Sequence, residues 1–168
     1  MFEEALKHDA QILVSELRAE AMMIAAAESC TGGLIMALLT ETPGSSDVVD
    51  RGFVTYSNDA KMECLGVDPG LLDRYGAVSA PVAQAMANGA LVHSNADIAV
   101  SVTGVAGPGG GTTDKPVGLV HMAVARSGAD VIHRELRLGD IGRHQVRIKT
   151  VASAITVLRE VLHGPSFR

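Results

Sequence analysis

Aromatic side chains are scarce in this chain: three Phe, two Tyr and no Trp, or 3% of 168 residues. A core of normal size must therefore be aliphatic, built from Val, Leu, Ile, Ala and Met. Cysteine is almost as rare. Cys30 and Cys64 provide no disulfide framework, and free thiols suit a reducing compartment, so a cytoplasmic location is expected. No block of Lys and Arg occurs, and 14 basic against 19 acidic residues leave a net charge of -5. That balance argues against a general nucleic-acid binder and against adsorption to an anionic membrane. No apolar run approaches the roughly 20 residues of a membrane-spanning helix. The chain starts with Glu3 and Glu4 in place of a basic region and an apolar block, so no signal peptide is expected. The histidines His8, His93, His121, His133, His144 and His163 show no ligand spacing, and no metal site is expected.

What remains is an ordinary globular composition, 47% apolar, on a chain long enough to bury a sizeable core. One domain over residues 1–168 is expected. The periodicities predict an amphipathic helix over Phe2 to Leu17, a buried strand over Met22 to Ala27 and a helix over Leu34 to Thr40. A break follows at Pro43-Gly44-Ser45-Ser46, then a strand from Gly52 to Tyr56 and a helix from Asp59 to Leu65 that stops at Gly66. Pro69 to Tyr75 reads as a short helix ending at Gly76. Ser79 reads as the N-cap of a helix running to about His93. Ile98 to Val102 reads as a strand, and Gly118 to Ala125 with Val131 to Leu138 as a hairpin turning at Ser127-Gly128. A last helix spans about Arg143 to Leu162. Helices alternate with strands early and a hairpin comes late. The expected fold is therefore α/β, a three-layer α/β/α sandwich around a mixed, mostly parallel sheet of about five or six strands.

Four stretches carry side chains suited to chemistry. In Ala27-Glu28-Ser29-Cys30-Thr31-Gly32-Gly33 a strand runs through a tight turn into a helix, whose unpaired N–H groups then face whatever binds there. Ser29 or Cys30 can serve as nucleophile in such a place; the ordinary explanation is a capped turn with glycines for packing. A Gly-x-Ser-x-Gly elbow is excluded, because Ala27 stands two places before Ser29. In Thr55-Tyr56-Ser57-Asn58-Asp59-Ala60-Lys61, with Asn58 as N-cap, Lys61 is the third helical residue, where Glu or Gln is favoured. The positive helix end and burial both lower a lysine pKa, and a neutral lysine is a usable general base for a serine hydroxyl. Tyr56 can bridge Ser29 and Lys61, lie along a flat substrate ring, or simply pack at a sheet edge. The glycine-rich loop Thr103 to Thr113 follows a strand, as a ligand loop should, yet matches neither a Walker loop nor a dinucleotide fingerprint. Arg143 and Arg147 share a helix face and can clamp a phosphate, although Arg147 reads better as surface charge.

Taken together and in order, these motifs resemble the CinA C-terminal domain family, whose enzymatic members are nicotinamide-nucleotide amidases. The matching runs are Ala27–Gly33, Gly52-Phe53-Val54-Thr55-Tyr56-Ser57-Asn58 with Lys61, Gly76-Ala77-Val78-Ser79 and Met86-Ala87-Asn88-Gly89-Ala90. Thr103-Gly104-Val105-Ala106-Gly107-Pro108 with Gly110-Gly111, and Lys115-Pro116-Val117-Gly118, also match. Two departures stand out: His121 replaces an aromatic expected in many members, and Ala80 an acidic residue. Larger members carry a further N-terminal domain, and this chain resembles the stand-alone form. The resemblance implies hydrolysis of the carboxamide of nicotinamide mononucleotide, a step of pyridine-nucleotide salvage. It implies Ser29 as nucleophile, Lys61 as base and Tyr56 assisting. Substrate contacts would come from Cys30, Thr31, Gly32, Gly33, Thr103, Gly104, Gly107 and Arg143. No metal or organic cofactor is called for; the partners implied are a small pyridine nucleotide and a second copy of the chain in a homo-oligomer. Two rival functions are a non-catalytic nucleotide-binding module and an interaction domain tied to competence or DNA damage.

Overall fold

The computed structural model of the chain describes residues 2–164. Five strands form one sheet in the order β2-β1-β3-β4-β5. They are β1 (Ile24–Glu28), β2 (Val49–Val54), β3 (Ile98–Gly104), β4 (Leu119–Arg126) and β5 (Ile132–Arg137). β1 pairs in parallel with β2 and β3, whereas β3–β4 and β4–β5 are antiparallel. The sheet is thus mixed in equal halves. A parallel neighbour needs a crossover helix, and the helices α2 (Leu34–Thr40) and α5 (Ala80–Val92) serve the parallel half. No helix lies between β3 and β4, so that strand returns antiparallel.

Each face of the sheet carries its own layer. On one side α1 (Glu4–Ala19), α2 and α6 (Arg143–His163) pack Leu13, Leu17, Ile35, Leu38, Ile155 and Leu158 against the even-numbered strand residues Ile24, Ala26, Val100 and Met122. On the other side α3 (Asn58–Leu65), α4 (Pro69–Tyr75) and α5 cover Ala25, Ala27 and Ala99. The core is aliphatic, as the lack of aromatics demands. β1 is buried along its whole length and all alanine between its ends, which lets helices approach both faces closely.

Several boundaries differ from the periodicity by two or three residues. The first strand extends to Glu28 and the second ends at Val54, so Tyr56 lies in the connection beyond it. Ser57, not Asn58, is the N-cap of α3, its Oγ accepting the Ala60 N–H at 3.0 Å. Lys61 is therefore the fourth helical residue. Ser79 holds the N-cap position of α5 but makes no side-chain cap; its hydroxyl donates to the Gly76 carbonyl. Gly66 ends α3 at a φ of 65°, a left-handed conformation that glycine adopts without strain. Among the described residues no helix is long and apolar enough to cross a membrane.

Candidate active site

Strand parity sets the first contacts. Ile24 and Ala26 face the α2 side, whereas Ala25 and Ala27 face the α3 side. Continuing the alternation sends Glu28 toward α2 and Ser29 toward α3. Glu28 is fully buried, and its carboxylate accepts from the Thr31 hydroxyl at 2.6 Å and from the N–H groups of Gly33, Ile35 and Met36 at 3.1, 3.1 and 3.0 Å. Three of the four donors share Oε2 and Met36 takes Oε1, so both carboxylate oxygens are engaged. The chain thereby caps α2 from the preceding strand, a reach made possible by Gly33 at φ 96°.

This arrangement corrects part of the expected anion site. Most N–H groups at the α2 terminus are not open, because Glu28 takes those of Gly33, Ile35 and Met36 and the Ser29 carbonyl takes that of Gly32. The N–H groups of Cys30 and Thr31 donate to no oxygen among the described residues.

On the α3 side Lys61 is only 1% exposed. Its Nζ lies 3.1 Å from Ser29 Oγ, 2.7 Å from the Thr55 carbonyl oxygen and 3.5 Å from that of Ser57. Among the described residues no carboxylate pairs with it. Loss of hydration pushes its pKa down from 10.5, and the neighbouring Cys30 opposes that only in part. Nζ donates to all three oxygens, and once it is deprotonated two N–H groups still serve the carbonyls while the lone pair is left for the Ser29 proton. Cys30 differs sharply. Burial pushes its thiol up to about 12, so it stays protonated and is a poor nucleophile near neutral pH.

The remaining candidates fall into two groups. Arg143 draws two segments together, donating to the Gly107 carbonyl at 2.9 Å and to the Tyr56 hydroxyl at 3.0 Å. Tyr56 therefore does not bridge Ser29 and Lys61. It lies two residues past the end of β2, its ring 59% exposed and its hydroxyl turned to Arg143. Thr103 is buried, and its hydroxyl donates to the Ala77 carbonyl at 2.9 Å, so its side chain is already engaged. Gly104 completes β3, where Leu119 and Val120 leave no room for a side chain. Beyond it the loop is tied by Val105 and Gly118 to the start of β4, leaving Pro108, Gly109, Gly110 and Gly111 exposed.

Arg147 is the residue that sequence reasoning undervalued. It is half-buried, donates through Nη2 to the Thr31 carbonyl at 2.7 Å, and sits directly against the turn that holds Ser29. The available signal was its spacing of four from Arg143, which places both on one helix face.

A family description, the CinA C-terminal domain, matches residues 6–162. The CinA-like protein of Mycolicibacterium vanbaalenii is 53% identical over 141 residues, covering 84% of this chain and 33% of that protein. The chain thus spans about a third of the length of the curated relatives it matches. Among solved structures, the competence/damage inducible protein CihA from Agrobacterium tumefaciens superposes with a TM-score of 0.94 at 50% identity, over 96% of this chain and 98% of that one. A competence-damaged protein (CinA) superfamily protein from Escherichia coli gives 0.89 at 30% identity, over 96% and 94%.

Proposed function

The chain belongs to the CinA C-terminal domain family, and from that premise we propose that it hydrolyses the carboxamide of nicotinamide mononucleotide to nicotinate mononucleotide and ammonia. The observation that carries the reading is the buried, unpaired Lys61 Nζ at 3.1 Å from Ser29 Oγ. A serine hydroxyl is a weak nucleophile until a base takes its proton, and a lysine whose pKa burial lowers gives up its own proton more readily and can act as that base.

The steps follow from this geometry. Lys61 accepts the Ser29 proton as the Oγ–C bond forms, and the carbonyl oxygen gathers negative charge toward the N–H groups of Cys30 and Thr31. The protonated Lys61 returns its proton to the departing nitrogen, the C–N bond breaks and ammonia leaves. Water then attacks the acyl-enzyme, again through Lys61, and Ser29 is regenerated with release of the carboxylate. The cationic surroundings support an anionic substrate. Arg143 and Arg147 have no carboxylate partner among the described residues, and Glu28 is engaged by four donors from its turn and α2. Arg143 and the exposed glycines of the loop after β3 would receive the phosphate, and the exposed Tyr56 ring would lie along the pyridine.

The test is ammonia release from nicotinamide mononucleotide, with nucleotide binding measured alongside. Ser29→Ala is expected to lose at least about 10³-fold in turnover while still binding the nucleotide. Undiminished turnover in that variant would remove Ser29 from the mechanism. Binding without ammonia release by the unaltered chain would leave a nucleotide-binding module in its place.

A further inference from the structure

The turn from Ser29 to Gly33 is gripped from two sides. From below, Glu28 holds the Thr31 hydroxyl and the Gly33 N–H. From the side, Arg147 holds the Thr31 carbonyl at 2.7 Å. Between these grips lie the two N–H groups that donate to no oxygen among the described residues, those of Cys30 and Thr31. Arg147 is unusual in itself. Its Nε is buried and has no hydrogen-bond partner, and no carboxylate neutralises it among the described residues. Its positive charge is felt at Cys30, where it opposes the effect of burial on the thiol. An unbalanced half-buried guanidinium is costly to keep unless negative charge arrives beside it.

Resting on the reading of Ser29 as nucleophile, we infer that Arg147 is a positioning residue for acyl transfer. It engages the Thr31 carbonyl, so that this dipole does not oppose the charge gathering on the attacked carbonyl oxygen. The N–H groups of Cys30 and Thr31 are then fixed toward that oxygen. Its own charge adds to the stabilisation without touching the reacting atoms. The rival role, a ligand for the substrate phosphate, makes a different prediction: it matters only for substrates that carry a phosphate.

An uncharged acyl donor separates the two. With p-nitrophenyl acetate the Ser29 Oγ–C bond forms, the aryloxide leaves, and the serine proton goes to Lys61. The expected result is a burst of p-nitrophenolate of about one per chain, with the acetyl group found on Ser29 by mass spectrometry and absent in Ser29→Ala. Arg147→Met is expected to slow the burst about 10²-fold, with little change in half-saturation and with a circular-dichroism spectrum like that of the unaltered chain. Arg147→Lys, which keeps the charge and loses the planar fork, is expected to recover part of the rate.

Three outcomes overturn the inference. A burst rate unchanged in Arg147→Met, together with a raised KM for the mononucleotide, makes Arg147 a phosphate ligand. An unchanged burst with a lowered melting temperature makes it a structural residue. No burst from the unaltered chain removes the nucleophile on which the inference rests. A normal burst with no ammonia from any pyridine nucleotide would instead sink the amidase reading while leaving the role of Arg147 standing.

Discussion

At the scale of single residues, Lys61 is governed by the loss of water around its ammonium. Its long side chain would normally reach solvent, yet it ends among the Ser29 hydroxyl and the Thr55 and Ser57 carbonyls. Burial holds its pKa below 10.5. Because the base form is the active one, kcat/KM is expected to rise about tenfold per pH unit below that lowered pKa and to level off above it. The pH–rate profile of ammonia release checks this; a profile that falls with rising pH would assign the base to another group. The anomaly of a lysine in the first turns of a helix was visible in the sequence. Its meaning was not, because 32 residues separate it from Ser29 and only the fold brings the two together.

At the scale of elements, the position of Lys61 depends on how closely α3 approaches α5. Gly89 sits in the last turn of α5, and a Cβ there would collide with the backbone carbonyl of Leu65, the last residue of α3. Backbone cannot step aside as a side chain can. Gly89→Ala is expected to destabilise the fold by about 1–3 kcal/mol. By shifting α3 it should also reduce turnover more than substrate binding. Thermal unfolding and the split between kcat and KM check both parts, and an unaltered melting temperature would show that the helices can separate without cost. A glycine inside a helix costs stability and is visible in the sequence; the contact it permits, with the Leu65 carbonyl, appears only in the fold. The sequence misplaced the cap of α3, since Ser57 and Asn58 are both good N-caps and only backbone geometry chooses between them. It also left Glu28 without a task. A carboxylate at the end of an apolar strand has no local partner, and its four donors appear only once α2 has folded over it.

At the scale of the whole molecule, the departure at His121 acquires a partner. His121 on β4 and His133 on β5 lie on the same face, with Nδ1 of one 3.0 Å from Nε2 of the other. Two imidazoles at that distance share one proton. Burial holds both pKa values below 6.5; His133, Lys115 and Arg137 add to this at His121 and Arg134 at His133, and Glu135 opposes it at both. Between those lowered values and 6.5 the unfolded chain binds more protons than the folded one. Stability is therefore full above about pH 6.5 and is lost as the pH falls through the window. His121→Phe, which restores an aromatic ring without a proton site, should flatten that dependence. Melting temperatures measured from pH 7 downward check it, and an equally steep loss in the variant would place the acid sensitivity elsewhere.

Composition and periodicity by themselves determined an aliphatic α/β sandwich and the order of its elements, because burial patterns and turn residues act over a few positions at a time. They also singled out the turn at Ser29, the misplaced lysine and the glycine loop. Tertiary structure alone decided which of these meet. It seated Lys61 on Ser29, turned Tyr56 away to Arg143, engaged the Thr103 hydroxyl with Ala77 and brought Arg147 onto Thr31. It also closed the α2 terminus with Glu28, so that the open N–H groups of the turn are those of Cys30 and Thr31. The physical reason is that hydrogen bonds and desolvation depend on distances between segments far apart in the chain. Those distances are set by sheet order and helix packing, which no local pattern encodes.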